Sequence, residues 1–246
     1  MPLNPVRLLR TFRYALYFDG VDDRVVVPHS DYLNIQSGNR ITIIMRMILL
    51  GWRSGYPLGA VIDKRTEQTA NYHWEFRATM MEVRIHANNS YYRLFIPHAL
   101  GVLNEYAMVL DGNIMKAYKN GLLVSSRSDV PPTLGNSQDL LIGEAMPGGF
   151  NARMDLHNIL IYSRPLSDDE IKWNYENPED PISDGLRLSL YAHPDNIRDI
   201  DDDGILEWID LSGHGNHGKI YGARLVELVK EPARVLSPAR VLAPAR

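Results

Sequence analysis

The chain has no cysteine among its 246 residues. That excludes disulfides, thiolate metal sites, cysteine nucleophiles and the disulfide-dense secreted scaffolds, though not an extracellular location. No run reaches the roughly 18 consecutive apolar residues of a membrane-spanning helix, so no membrane span is expected. The opening, Met1-Pro-Leu-Asn-Pro-Val-Arg-Leu-Leu-Arg10, lacks the apolar core of a secretory signal. Either export does not use that route or the signal lies outside this chain. Charge of one sign is scarce: 26 Lys and Arg against 30 Asp and Glu leave a net −4, which gives no bulk reason to expect nucleic-acid binding. There is no Gly-x-Ser-x-Gly elbow and no phosphate-binding loop.

What is present reads as short strands. Ala15 to Pro28 runs Ala-Leu-Tyr-Phe-Asp-Gly-Val-Asp-Asp-Arg-Val-Val-Val-Pro. Asp19-Gly20 between two apolar runs predicts a β-hairpin, because glycine supplies the positive φ of a tight turn. Further strands are expected at Ile41 to Leu50, Tyr72 to Ala78, Met81 to His86, Tyr91 to Ile96, Tyr106 to Leu110, Ile114 to Lys119, Leu122 to Ser125, Leu140 to Gly143, Met154 to Tyr162 and Leu186 to Tyr191. Turns fall at Asn88-Asn89, Asp111-Gly112-Asn113 and Asn120-Gly121. This spacing predicts an all-β antiparallel sandwich rather than βαβ units. A short helix is expected from Ser167 to Tyr175. Ser167 with Glu170 makes a capping box, Asp168 and Asp169 suit the positive helix end, and Asn177-Pro178 ends it. Ile171 and Tyr175, four apart, face the sandwich.

Three phrases recur together in this order: Phe18-Asp-Gly-x-Asp-Asp-x-Val-x-Val-Pro28; Tyr106-Ala-Met-Val-Leu-Asp-Gly with Lys116-Ala-Tyr-Lys-Asn-Gly-Leu-Leu-Val; and Ile142-Gly143 with Met154-Asp-Leu-His-Asn-Ile-Leu-Ile-Tyr-Ser-Arg-Pro-Leu-Ser-Asp-Asp-Glu-Ile171. As a set, over residues 15–175, they resemble the laminin-G-like members of the concanavalin-A-like lectin/glucanase superfamily. The resemblance implies a jelly-roll β-sandwich with one short helix and a C-terminal extension, and binding rather than catalysis. Glu105-Tyr106 stands where the family often carries Trp. The superfamily's glucanases use a Glu-x-Asp-x-x-Glu strand, which is absent here; Glu75 and Glu82 lie in candidate strands without that spacing. His73, between Tyr72 and Trp74, reads as a packed strand residue.

The organisation expected is an N-terminal Pro/Arg connector (1–14), the sandwich (15–178), a C-terminal block (179–224) and a Pro/Ala/Arg tail (225–246). The tail repeats every six residues, with Pro232, Arg234, Pro238, Arg240, Pro244 and Arg246 as its candidate assembly residues. The N-terminal Pro5-Val-Arg7 shares the tail's Pro-x-Arg-x-Leu pattern, so both ends read as versions of one connector, as in a tandem array, with independent low-complexity tails as the alternative; the six-residue Pro spacing favours an extended polyproline-type segment docking on protein. Asp210-Leu-Ser-Gly-His-Gly-Asn-His-Gly-Lys-Ile-Tyr-Gly-Ala223 is also typical of the resembled family, but there it precedes the Phe-Asp-Gly strand. Here it follows, so the segment is either permuted within one domain or belongs to a following unit.

Asp199-Ile-Asp201-Asp-Asp203-Gly-Ile205-Leu-Glu207-Trp-Ile-Asp210 fits a calcium-loop pattern over twelve positions. Asp199, Asp201 and Asp203 offer oxygens, Gly204 allows the sharp turn, Ile205 offers its carbonyl, and Glu207 and Asp210 complete the set. Position twelve is Asp where such loops prefer Glu. Four carboxylates among residues 199–203 would repel one another without a cation, which favours Ca²⁺ over a solvated acidic turn. His214 and His217 have metal-ligand spacing in a Gly-rich phrase that reads as structural. Trp52, Tyr56, Tyr91 and Tyr92 are candidate glycan-stacking rings, in competition with core packing. The expectation is a non-catalytic binding or assembly domain of a cell surface or virus particle. Its partners are copies of itself, in a homo-oligomer or head-to-tail filament, or a surface glycan or protein. A monomeric lectin-like adhesion module is the alternative, and a divergent glycoside hydrolase the remaining one.

Overall fold

The computed structural model describes residues 13–55, 58–65, 70–87, 90–133, 135–145 and 149–228. In chain order the strands are β1 (Tyr14–Asp19), β2 (Arg24–Val27), β3 (Arg40–Trp52), β4 (Gly59–Arg65), β5 (Ala70–Phe76), β6 (Met80–Ala87), β7 (Ser90–Pro97), β8 (Leu103–Asp111), β9 (Ile114–Lys119), β10 (Leu122–Arg127), β11 (Leu140–Ile142) and β12 (Ala152–Tyr162). Helix α1 (Asp168–Glu176) follows, then β13 (Leu186–Tyr191), β14 (Ile197–Arg198), β15 (Glu207–Trp208), β16 (Gly218–Tyr221) and β17 (Arg224–Glu227). They form two antiparallel sheets, the jelly-roll sandwich expected. One runs β10-β9-β8-β3-β12-β1-β17 with β13 also on β12; the other runs β14-β15-β16-β2-β11-β4-β5-β6-β7.

The Asp19-Gly20 turn corrects one expectation. It joins β1 to β2, but β1 pairs with β12 and β17 while β2 pairs with β11 and β16. The turn is a corner between sheets, not a hairpin. Gly20 has φ +80°, and a Cβ there would lie 2.9 Å from the Arg153 Cβ. The glycine requirement was real, but it does not say which strands pair. The Asn120-Gly121 turn is a hairpin between β9 and β10, with both residues at positive φ. Strand β4 was not foreseen. A register shift between Ala60 and Ile62 sends Val61 and Ile62 both to the core, so the segment lacks the alternation that marks a strand.

Between the sheets lies one core, including Phe18, Val25, Met45, Trp74, Met108 and Trp208. A second cluster forms on the outer face of the β3–β8–β12 region. There Ile44, Ala107, Val109, Tyr118, Leu160 and Tyr162 pack against Leu166 and Ile171 of the helical segment. Apolar residues on both faces give β3 its near-continuous run. Helix α1 has the expected capping box, the Ser167 hydroxyl accepting from the Glu170 amide and the Glu170 carboxylate from the Ser167 amide. Near its C-terminal end, Arg46 of β3 and Glu105 of β8 form a buried ion pair at 2.5 Å. Arg46 also donates to the Tyr175 carbonyl at 3.0 Å. Glu105, where the family's Trp was expected, is thus the partner of an arginine on the neighbouring strand.

The segment after the helix pairs with the same sandwich. β13 lies on β12, β16 on β2, and β17, including residues 225–227 of the tail span, on β1. β1 and β13 share one edge of β12, meeting at a bulge between Leu156 and Asn158. His157 sits in that seam, its carbonyl accepting from the Ala192 amide and its ring donating to the Tyr14 carbonyl at 2.9 Å.

Candidate functional site

The acidic loop gathers most, but not all, of its expected ligands. Carboxylate oxygens of Asp199, Asp201 and Glu207 lie within 4.8 Å of one another. Asp203 joins them through Lys219, whose ammonium contacts Asp203, lies 3.1 Å from Asp201 and 3.9 Å from Glu207. Hydrogen bonds to Asp203 and Asp201 raise the Lys219 ammonium above its ordinary pKa. The backbone turns as the glycine predicted, with Asp202 and Gly204 at φ +58° and +82°. Gly204 N–H donates to Asp199 and Ile205 N–H to Asp203. Asp199 Oδ1 is buried without a hydrogen-bond partner. Asp210 has another task. Its two oxygens accept from the amides of Ser189, Ser212 and Asn216 and from the Ser212 hydroxyl, which ties the Gly-rich phrase to β13. His217 Nδ1 accepts from the Asp210 amide, and His214 Nε2 pairs with Arg187 at 2.8 Å.

The aromatic candidates separate. Trp52 is half-buried and packs edge-on against Phe76 at 5.8 Å. Tyr91 and Tyr92 are neighbours on β7 and so point to opposite faces; Tyr92 packs on the core and Tyr91 is exposed. Tyr56 and the tail residues Pro232 to Arg246 lie outside the described residues.

The face that carries Tyr91 holds a constellation not foreseen as a site. On β5, Tyr72, Trp74 and Phe76 enter the core, so His73 and Glu75 face outward; on β6, Glu82, Arg84 and His86 do the same. Register places Asp63, His73, Arg84 and Arg93 in one row across β4–β7, and Glu75, Glu82 and Phe95 in the next. Arg84 donates to Glu75 at 2.8 Å and to Glu82 at 3.3 Å, and Arg93 lies 3.2 Å from Glu82. The His73 ring lies 3.3 Å from Asp63 and 3.2 Å from Glu75. The carboxylates are buried at the base of this face, whereas Tyr91 and Phe95 at its margin are 44% and 46% exposed. His86 stacks on Tyr91 at 4.6 Å, with the Arg84 and Arg93 guanidinium groups over the same ring.

Burial alone would raise the Glu75 pKa, but the His73 hydrogen bond and the Arg84 and Arg77 charges outweigh it and hold the group at about 2. That is the reverse of a glycosidase general acid, whose proton is kept by a raised pKa. Arg84 bridges the two glutamates, so the pair resembles a charge lattice more than an acid and a nucleophile.

A laminin-G-type family model of the concanavalin A-like lectin/glucanases superfamily matches residues 18–172, and the chain belongs to that superfamily. Solved structures share the fold. One, described as a putative carbohydrate binding protein from Bacteroides ovatus, has TM-score 0.66 at 14% identity over 89% of this chain and 60% of its own. The binding domain of Botulinum neurotoxin DC in complex with rat synaptotagmin II has TM-score 0.52 at 14% identity, over 63% of this chain and 40% of that one. The heptameric SAP-like pentraxin of Limulus polyphemus has TM-score 0.51 at 14% identity, over 67% and 82%. This chain therefore spans less than two thirds of the first two. Among curated proteins, none matches it. No helix among the described residues is long and apolar enough to cross a membrane.

Proposed function

We infer that this chain is a non-catalytic binding module acting at a cell or particle surface, with a glycan as its partner. The observation that carries the reading is the outer face of β4–β7, where fixed charges underlie exposed Tyr91 and Phe95. Preorganised charge flanked by aromatic rings suits recognition, because little side-chain ordering remains to be done on binding. The solved structure of the same fold that is described as a putative carbohydrate binding protein supports it. An array of immobilised glycans probed with the full chain tests it: Tyr91→Ala with Phe95→Ala should lose most of the signal while changing stability by less than about 0.5 kcal/mol. Wild-type protein that binds no glycan at any density sinks the reading.

Calcium belongs to the same proposal. Asp199, Asp201, Asp203 and Glu207 would hold the ion, with Lys219 supplying the positive charge when the ion is absent. The unpartnered Asp199 oxygen and the all-oxygen donor set fit a hard cation. Calcium should raise the melting temperature relative to chelator, and Asp199→Asn should remove the difference. An unchanged melting temperature overturns it.

A second reading, self-assembly, has one observation in its favour. The edge strand β10 exposes Leu122, Leu123 and Val124 in succession. Against head-to-tail exchange, β16 and β17 already pair within their own chain. Light scattering of the full chain and of a version ending at Leu228, which keeps β17, separates these: an oligomer lost on truncation favours assembly through the tail.

A further inference from the structure

A cleft of about 280 Å³ lies between the segment after α1 and the outward face of β12 and β13. Pro178, Pro181, Leu160 and Leu211 give it apolar wall, Leu211 being 52% exposed, and Tyr191 adds a ring. Its rim is acidic. Residues 176–184 include Glu176, Glu179, Asp180 and Asp184 and no lysine or arginine, and Glu179 itself lines the cleft. Burial and then the Glu179 carboxylate push the Tyr191 hydroxyl up to about 12, so carboxylate and ring stand close together.

Strand order brings the end of β17 toward this cleft. β17 is antiparallel to β1, and β1 to β12, so β17 runs in the direction of β12. Past the bulge, β13 takes the place of β1 beside β12, beginning with Tyr191 opposite Asn158. Leu228, whose amide donates to the Arg13 carbonyl at 2.7 Å, therefore leaves β17 heading alongside β13. Tyr14, opposite Glu227 of β17, meets the His193 ring at 5.4 Å, just beyond Tyr191. Residues 229–246 lie outside the described residues. Their sequence holds four Lys and Arg against one Glu, whereas residues 13–228 carry 20 Lys and Arg against 29 Asp and Glu. Pro-Ala-Arg begins at Pro232 and again at Pro238 and Pro244. Pro232 is four residues past Leu228, within about 13 Å of extended chain.

We propose that this cleft is the docking site of the chain's own first repeat, Pro232-Ala-Arg234-Val-Leu236, in the same molecule. Pro232 packs against Tyr191, Pro178 and Pro181, and Arg234 pairs with Glu179. Proline-rich segments suit grooves lined by aromatic rings, because their backbone has little freedom to lose. A guanidinium adds charge-assisted hydrogen bonds to a carboxylate. The volume falls below the about 300–1,000 Å³ usual for ligand pockets, so it takes the anchor of one repeat and not the whole tail. The tether sets an effective concentration on the order of mM, so a contact with a Kd of about 1 mM fills the cleft about half the time. Docking within one chain rests on neither the glycan reading nor head-to-tail assembly, and it competes with the latter for the tail.

The test is methyl-detected NMR of the full chain and of a version ending at Leu228, which keeps every described strand. The Leu160 and Leu211 methyls should differ between the two, and the difference should persist unchanged on dilution. A synthetic peptide of residues 231–240, added to the shorter version, should move them toward their full-chain positions with a Kd of about 0.1–1 mM. Glu179→Lys, a change at an exposed residue, should weaken that peptide about tenfold or more. A peptide carrying Arg234→Glu and Arg240→Glu should bind the Glu179→Lys cleft better than the wild-type one. The proposal is overturned if truncation leaves these methyls in place, or if the charge-swapped peptide gains nothing from Glu179→Lys. Differences that fade on dilution, with a mass above the monomer in light scattering, assign the cleft to a neighbouring copy's tail and overturn docking within one chain. A version beginning at Arg13 that reproduces the truncation shifts assigns the cleft to the N-terminal segment and overturns it as well. The glycan array reads the β4–β7 face on the other sheet, so either reading can fail without the other.

Discussion

The outward faces of the two sheets are built on opposite principles. Over β3, β8, β9 and β12 the outer face is apolar and is packed by the helical segment through Leu166 and Ile171. Over β4–β7 it is polar, and its carboxylates are held by guanidinium groups from neighbouring strands. The helix-covered face buries one ion pair, Arg46 with Glu105; the other carries a lattice. An apolar face needs a lid to leave water, whereas a charged face balanced strand by strand needs none and can meet a partner. The difference already shows in the strands: β3 is apolar almost throughout, while β6 and β7 alternate.

The contrast breaks most severely at Glu105. Glu105→Ala would strand the Arg46 charge beneath the helix and should cost about 3–5 kcal/mol in chemical denaturation. A loss under 1 kcal/mol would mean that water reaches the pair and that the two faces differ less than their composition implies. On the polar face, Glu75→Gln should cost less, about 1–3 kcal/mol, because Arg84 keeps Glu82 as a partner. That face also predicts a pH dependence. The folded Glu75 pKa of about 2 lies below the ordinary 4.5, so the folded state holds its proton less tightly than the unfolded state. The stability it contributes is complete above about pH 4.5 and is lost as pH falls from there toward 2. Glu75→Gln should flatten that limb of the melting-temperature profile; a profile unchanged by the substitution would place the acid sensitivity elsewhere. The smallest effect is at the lid. Ser167→Ala removes the cap of α1 and should cost about 1 kcal/mol by the same denaturation measurement, without altering glycan binding.

Features within one local stretch were legible. The capping box of α1 and the Asn120-Gly121 hairpin depend on residues adjacent or three apart, and both stand as read. The calcium-type loop was legible as a cluster for the same reason. Asp210 was assigned to it by spacing alone, but without flanking helices nothing directs the twelfth position toward an ion, and its oxygens cap the next turn instead. Lys219 was missed because it comes from β16, beyond the loop. The β4–β7 face was missed because its members are spread over residues 63–93 and meet only through cross-strand register.

Chain chemistry by itself determined the two-residue period of the longer strands, the turns that require positive φ, the helix and its cap, and the superfamily these define, since each depends on short-range sterics and patterning. Tertiary structure alone decided that Asp19-Gly20 turns a corner between sheets, that β13, β16 and β17 return to the sandwich they follow, and that Arg84 stands between two glutamates. Those outcomes depend on which strands become neighbours and where a bulge shifts their register. Contacts made across a sheet carry no signature in the spacing of residues along the chain.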